Sequence, residues 1–436
     1  MNLSRAILAP LFLCLVACSE GSATDAGATA DAGATADSGA QADAGAQADA
    51  GAPSDASVAA DTGVEADAGA GPAPRLQILE VERPVAVSAD GRTVLVWQQS
   101  TGGLSYYDVA TSTLTAKTTL APGGLEKQQP MALSNTRRIA AGYGSRPTEP
   151  ALWDETHGWV HLGSPLPGCV DTSTSPPVPQ DLGAAFDLSD DGHVAVGALW
   201  LDCNEVQAFR WSDATSTGTF SLLERVGVGL DQVHPGNNRA SVVSSDGAVA
   251  AGWAFNAVAD RSPAIWGADG RGRLLDPTDT MNPGEVLAID RLGTTVAGLW
   301  ARPTGGLDGF VWSEARGVER FGPTEMADQS SMFVTSMTAD GAQVFGRWRF
   351  QPTFFDPEDD NAFVWSRAKG LRKIGDIATA HGLAPPADVR LASVQSASQD
   401  GLVLVGEARF PPDPSDPLGL PVLKVYVLVL PPGALD

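Results

Sequence analysis

The chain has 436 residues and a net charge of −24, with 52 acidic against 28 basic side chains. That balance argues against a nucleic-acid partner, which needs a basic footprint. The N-terminal apolar run of twelve residues is too short for a membrane-spanning helix, which takes about 20.

That run, residues 6–17 (AILAPLFLCLVA), follows Arg5 and ends in Leu15-Val16-Ala17-Cys18. A basic start, a short apolar core and small residues before a fixed position make a secretory signal. The last four residues resemble the lipobox of bacterial lipoproteins. The resemblance implies that residues 1–17 are removed, that the Cys18 thiol carries a lipid such as palmitate, and that Cys18 becomes the new N-terminus. Ser19 in place of Asp implies, by analogy with Gram-negative sorting, the outer membrane, with the rest in the periplasm or on the cell surface. The alternative is an ordinary signal peptide with an incidental cysteine.

Residues 18–74 are almost wholly Ala, Asp, Gly, Thr, Ser and Gln, with aspartates at 25, 31, 37, 43, 49, 55, 61 and 67, a strict period of six. Such a segment has too little apolar surface to offset its chain entropy and is expected to be a disordered tether. As a flexible coil it reaches roughly 40 Å; fully stretched it spans on the order of 180 Å. The tether carries a charge of −10, which leaves −15 on residues 75–436.

Those 362 remaining residues repeat. Turns stand at Asp90-Gly91, Asp191-Gly192, Asp246-Gly247, Leu292-Gly293, Asp340-Gly341 and Asp400-Gly401, and Arg137 holds the same place in a degenerate copy. A second glycine follows five residues after the turn at 142, 197, 252, 298, 346 and 406, with Val96 in its place in the first copy. Alternating residues precede each turn and an apolar strand follows it, as in PVAVSADGRTVLVW. Asp-Gly between two such runs is a tight hairpin signal. The second glycine is expected to permit close backbone approach near a crowded axis or between repeats.

A further strand then carries Trp153, Trp211, Trp266, Trp312 or Trp365, followed by a turn and a short last strand such as GVERFG or GLRKIG. Four strands in about 50 residues make one propeller blade. The seven copies predict an all-β fold, a seven-bladed β-propeller over 75–436. The seventh copy ends at KVYVLVL without a fourth strand, and LQILEV (76–81) has no blade of its own. The N-terminal strand is therefore expected to complete the last blade and remove its exposed edge.

The stretches Ala208-Phe209-Arg210-Trp211, Gly309-Phe310-Val311-Trp312 and Ala362-Phe363-Val364-Trp365, the last two followed by Gly317–Gly322 and Gly370–Gly375, resemble the HAF-type extracellular repeat proteins. The resemblance spans about residues 76–430 and implies an exported propeller-like domain with no assigned activity. Copies one, two and seven depart from it, with Tyr106-Tyr107 and Tyr426 standing where Trp is expected.

Candidate chemistry is sparse. Cys169 and Cys203, in loops of successive blades and an oxidising compartment, are expected to form a disulfide. The motif tryptophans read as blade-packing core. His157 and His161 lack neighbours at metal-ligand spacing, so no metal site is expected from them; His193 reads as lying on an inner-type strand. The acidic run Asp356, Glu358, Asp359 and Asp360 lacks calcium-cage spacing and reads as a solvated loop. Trp348, Phe350, Phe354 and Phe355, placed in a long loop, are the candidate ligand-binding residues. No catalytic motif or cofactor signature is present. The reading is a lipid-anchored binding scaffold for a protein or glycan. The alternatives are a polysaccharide-active propeller enzyme, lyase or glycosidase, and a component of an envelope assembly complex.

Overall fold

In the computed structural model the residues described are 72–120, 129–144, 147–172, 177–213, 218–227, 236–258, 260–279, 281–323, 330–350, 359–412 and 421–436. The signal peptide, Cys18 and nearly all of the tether lie outside them. Residues 72–436 form one compact unit.

Each repeat folds as expected into one antiparallel meander, the blade. Blade 1 comprises Arg83–Val87, Thr93–Gln98, Gly103–Asp108 and Thr113–Thr119; blades 2 to 6 begin with Gln129–Leu133, Gly183–Leu188, Asn238–Val243, Gly284–Ile289 and Ser330–Met337. In blade 7 the inner strand is broken into Arg390–Leu391 and Ser396–Ala397, followed by Val403–Pro412 and Pro421–Val429. Its fourth strand is Arg75–Leu79, antiparallel to Val425–Val429, so the N-terminal strand closes the ring.

The turns explain why the blades arrange in a circle. Asp190, Ser245, Arg291, Ala339, Gln399 and Ala89 follow one another around the axis, each offering its carbonyl to the N–H of the equivalent turn residue in the preceding blade. Asn135 begins the series by donating to Asp190, and Gln399 ends it by donating to Ala89, all at 2.8–3.1 Å. The seventh joint is made by the Asp90 N–H and Asn135 Oδ1, 2.9 Å apart. Within five of the seven turns a buried hydroxyl fixes the hairpin: Ser88 donates to Asp90 at 2.6 Å and accepts from the Thr93 N–H at 3.0 Å. Ser189, Ser244, Thr338 and Ser398 repeat both bonds. The turn glycines have φ near +70°, and Arg137 shares that conformation at 64°, which confirms its place as the degenerate turn residue.

The second glycines permit close backbone approach, as expected, but in a different place. The innermost strand bulges opposite them, between Ala185 and Asp187, Ala240 and Val242, Val286 and Ala288, and Val334 and Ser336. The bulge drives a carbonyl into the space a side chain would fill. A Cβ on Gly197, Gly252, Gly298, Gly346 or Gly406 would lie 1.8–2.1 Å from the carbonyl oxygen 13 residues earlier. The constraint lies within one blade, not at the axis or between blades. Opposite Gly197, Gly298, Gly346 and Gly406 the cross-strand partner is Phe209, Phe310, Phe363 or Tyr426, whereas Gly252 faces Ala264. Tyr426 therefore holds the phenylalanine position, and Leu428 the tryptophan one; Tyr107 does replace Trp, since it pairs with Val94 as Trp211 pairs with Ala195.

The five motif tryptophans are buried as expected. They join layers that run from blade to blade, such as Ile265 of blade 4 with Val286, Val296, Trp300 and Trp312 of blade 5. Each such large side chain contributes on the order of 2–3 kcal/mol by burial. One last strand differs from expectation: GLRKIG stays extended only over Gly370–Lys373, then becomes a helix over Ile374–Ala380. Ile374, Ile377 and Ala378 fall on one helical face and join the core of blade 7. Asp376 sits favourably in the first turn, and Gly382, at φ 74°, ends the excursion.

Candidate functional site

A four-stranded meander has two unlike ends. The first-to-second and third-to-fourth turns share one end; the second-to-third loops and the connections between blades share the other. Here the first end carries tight turns. The second, the loop face, carries the helix Ile374–Ala380 and a short hairpin, Cys169–Asp171 with Val178–Asp181. Cys169 on this hairpin is disulfide-bonded to Cys203, in the second-to-third loop of blade 3. The bond joins residues 34 apart, worth about 3–4 kcal/mol in chain-entropy terms.

Along the axis runs a cavity of about 250 Å³, lined by the inner strands of all seven blades. At the tight-turn end Gln399 crosses it: Nε2 donates to Asp190 Oδ2 of blade 3 and to Ser245 Oγ of blade 4, both at 2.7 Å. Burial pushes the Asp190 carboxyl above its ordinary range. Higher in the cavity stands Asp187, which accepts from the Leu188 N–H at 2.9 Å and the Val243 N–H at 2.8 Å. It lines this cavity and is half-buried there, and desolvation pushes its pKa up to about 7.

Arginines and carboxylates pair between blades toward the loop face. Arg83 of blade 1 meets Glu407 of blade 7 at 2.9 Å. Arg239 of blade 4 meets Glu285 of blade 5, which also accepts from Ser241 Oγ at 2.6 Å. The Arg239 guanidinium lies 4.9 Å from the Phe186 ring, a cation–π contact. Arg347, Arg349 and Arg409 converge on Asp360 at 3.2–4.0 Å.

Of the residues singled out by sequence, Trp348 and Phe350 lie not in a loop but at the end of the strand Gln343–Phe350, half-buried. Trp348 packs toward the blade 6 core beneath Lys373. The strand runs on because Ser330–Met337 matches it to its last residue, Phe350 opposite Ser330. Phe354, Phe355, Asp356 and Glu358 lie outside the described residues. Asp360 is not solvated but 6 % exposed among its arginines. His193 is not on an inner strand: it sits exposed just after the Gly192 turn, 2.7 Å from Asp213. His157 and His161 turn to different carboxylates, Asp154 and Glu149.

Asp187, Glu285, Arg239 and Gln399 went unnoticed in the sequence. The signal was present for Asp187: AAFDLSDDG carries an aspartate where PVAVSADG carries alanine.

No family model matches the chain, and no curated protein matches it by sequence. Solved structures of similar shape are β-propellers of low identity. The oligogalacturonate lyase of Vibrio parahaemolyticus is 12 % identical with a TM-score of 0.47, over 82 % of this chain and 91 % of that one. The Cps50 (Swd1) β-propeller domain of Myceliophteria thermophila is 12 % identical with a TM-score of 0.45, over 80 % and 98 %. TolB of Acinetobacter baumannii is 13 % identical with a TM-score of 0.39, over 63 % of this chain and 60 % of that one. The chain thus spans less than two thirds of this TolB. The assignment as a seven-bladed propeller rests on the blades and their circular hydrogen bonding described above.

Proposed function

We propose that the chain is a lipid-anchored cell-envelope protein of a Gram-negative bacterium that presents its propeller as a binding scaffold, with the loop face as the partner surface. The observation that carries this reading is the segregation of structure to one end. The inserted hairpin, its disulfide and the helix all lie on the loop face, where binding residues on a rigid scaffold are usually found. The HAF-like repeats and the lipobox-like Leu15–Cys18 support export and anchoring at Cys18.

A polysaccharide-active enzyme is the second reading. Asp187, pushed up to about 7, and Glu285 would supply an acid and a base. The cavity size favours the scaffold, because about 250 Å³ falls below the roughly 300–1,000 Å³ of small-molecule sites. An envelope assembly partner would use the same loop face.

The test exposes full-length protein to a panel of envelope proteins and polysaccharides, reading retention and new reducing or unsaturated ends. Two variants accompany it, one with charge reversals on the loop face (Arg390→Glu, Asp202→Lys) and one on the tight-turn face (Arg92→Glu, Asp269→Lys). The scaffold reading expects at least tenfold weaker retention from the first variant alone, and no product. Product formation that is lost in Glu285→Gln would replace it with the enzyme reading. Equal retention by both variants would remove the loop face as the binding surface. Palmitate labelling that persists in Cys18→Ala would refute the anchor.

A further inference from the structure

One side chain of the axial cavity carries a charge that the ring does not need. Two residues before the turn hydroxyl or its equivalent, six inner strands carry alanine, valine or serine, and blade 3 carries Asp187. Ser336 Oγ accepts from the Ala397 N–H at 3.2 Å, and Ser396 Oγ accepts from the Val87 N–H at 3.0 Å, each joining its blade to the next. Asp187 Oδ2 makes the same bridge to the Val243 N–H at 2.8 Å. A neutral hydroxyl therefore suffices at this position, and holding the blades together does not account for a carboxylate.

The carboxylate is also short of positive charge. Each oxygen accepts one N–H, from Leu188 and from Val243, which leaves a further lone pair on each. Among the described residues no basic side chain pairs with Asp187. Arg239 of blade 4 is engaged by Glu285, Arg291 of blade 5 acts on Asp190, and Arg138 of blade 2 is held by Asp213 and Asp154. The charge that does act on Asp187, that of Asp190, has the same sign. A charge drawn out of water is unfavourable until a counter-charge meets it. One residue nearer the loop face, the cavity is lined by Val85, Met131, Phe186 and Leu287 in four of the blades. Two of the three polar residues at that level, Ser241 and Thr335, already donate to Glu285 and to the Val394 carbonyl.

We propose that the axial cavity is a binding site for a primary ammonium on an aliphatic stem, with the Asp187 carboxylate as its counter-charge. The three N–H donors of an ammonium address the open lone pairs of the carboxylate. The stem lies along Met131, Phe186 and Leu287, so that a few polar groups orient a largely apolar ligand. The volume, about 250 Å³, admits a ligand the size of one side chain and excludes larger ones. A bare metal ion fits the lining less well, since it takes several oxygen ligands and no group of three His, Cys, Asp or Glu side chains is placed to hold one among the described residues. The site lies inside the ring and does not depend on the loop face as a partner surface.

The experiment titrates the full-length protein with n-butylamine at pH 8, where the amine is protonated and Asp187 is ionised. The readouts are the carboxyl-carbon resonance of Asp187 and the heat of binding. A saturable shift of that resonance is expected, with none from n-butanol, which has the stem without the charge, or from potassium chloride at equal concentration. Asp187→Asn keeps an acceptor for the Val243 N–H and is expected to weaken binding about tenfold or more. The loop-face variant (Arg390→Glu, Asp202→Lys) is expected to bind as the wild type does. A glycine-flanked lysine peptide is the second probe: if it binds too, the ammonium belongs to a protein partner, and if the amine alone binds, to a small ligand. No saturable shift with either probe, an equal response to butanol or potassium, undiminished binding by Asp187→Asn, or loss of binding in the loop-face variant would each overturn the proposal. If Asp187→Asn does not fold, the wild-type resonance and its two control titrations still decide.

Discussion

A carbonyl displaced by a bulge decides what can stand opposite it. At Gly298 a Cβ would come 1.9 Å from the Glu285 oxygen and 2.9 Å from the Phe310 ring, so Gly298→Ala is expected to cost about 2–3 kcal/mol in chemical denaturation. Gly375 has no neighbour within 4 Å and sits in the short helix, so Gly375→Ala is expected to gain up to about 1 kcal/mol. The recurrence of glycine was legible in the sequence, but its cause was not. A bulge is a property of pairing between two strands, and neither strand alone records it. Blade 1 is the exception: it keeps a bulge, between Pro84 and Ala86, with a buried valine in the glycine position, so a bulge alone does not demand glycine. The polar residues of the cavity were hidden for a related reason. A lone aspartate in an alternating strand looks solvent-facing, and only closure of the ring turns that face inward.

Among the elements, the closing strand Arg75–Leu79 was the most legible, because a missing strand at one end and a spare one at the other have one joint solution. It buries Leu79 and half-buries Ile78 against blade 7. Replacing both by aspartate should therefore cost about 3–5 kcal/mol by lost burial. It should also expose the Val425–Val429 edge, so that light scattering records concentration-dependent association. Thermal melting without association would mean that the edge is protected by something other than this strand. The helix was illegible because Ile374, Ile377 and Ala378 are too few to establish a helical period. The strand end at Phe350 was equally hidden, since its length is set by Ser330–Met337 rather than by its own residues.

For the whole molecule, the blade count followed from the repeat period, while the site did not follow from anything repeated. The departures from the repeat are the hairpin, the disulfide and the interblade ion pairs. The disulfide ties a hairpin to a loop on the loop face, outside the blade strands' own pairing, so Cys169→Ser should lower stability by no more than about 3–4 kcal/mol. Limited proteolysis should then cut residues 162–182 first, with the seven blades remaining protected. Simultaneous loss of the ring and the hairpin would show that the bond holds the fold itself. The polarity of the closing strand has a mechanical side. Arg75 lies opposite Val429 at the tight-turn end and Leu79 opposite Val425 toward the loop face, so the chain from the N-terminus joins the ring at the tight-turn end. If a partner grips the loop face while the N-terminus is held, tension runs along Arg75–Leu79 and loads its rungs to Val425–Val429 in parallel. The ring would then resist pulling in shear rather than unzipping rung by rung, and the joint that closes the circle would also be its load cell.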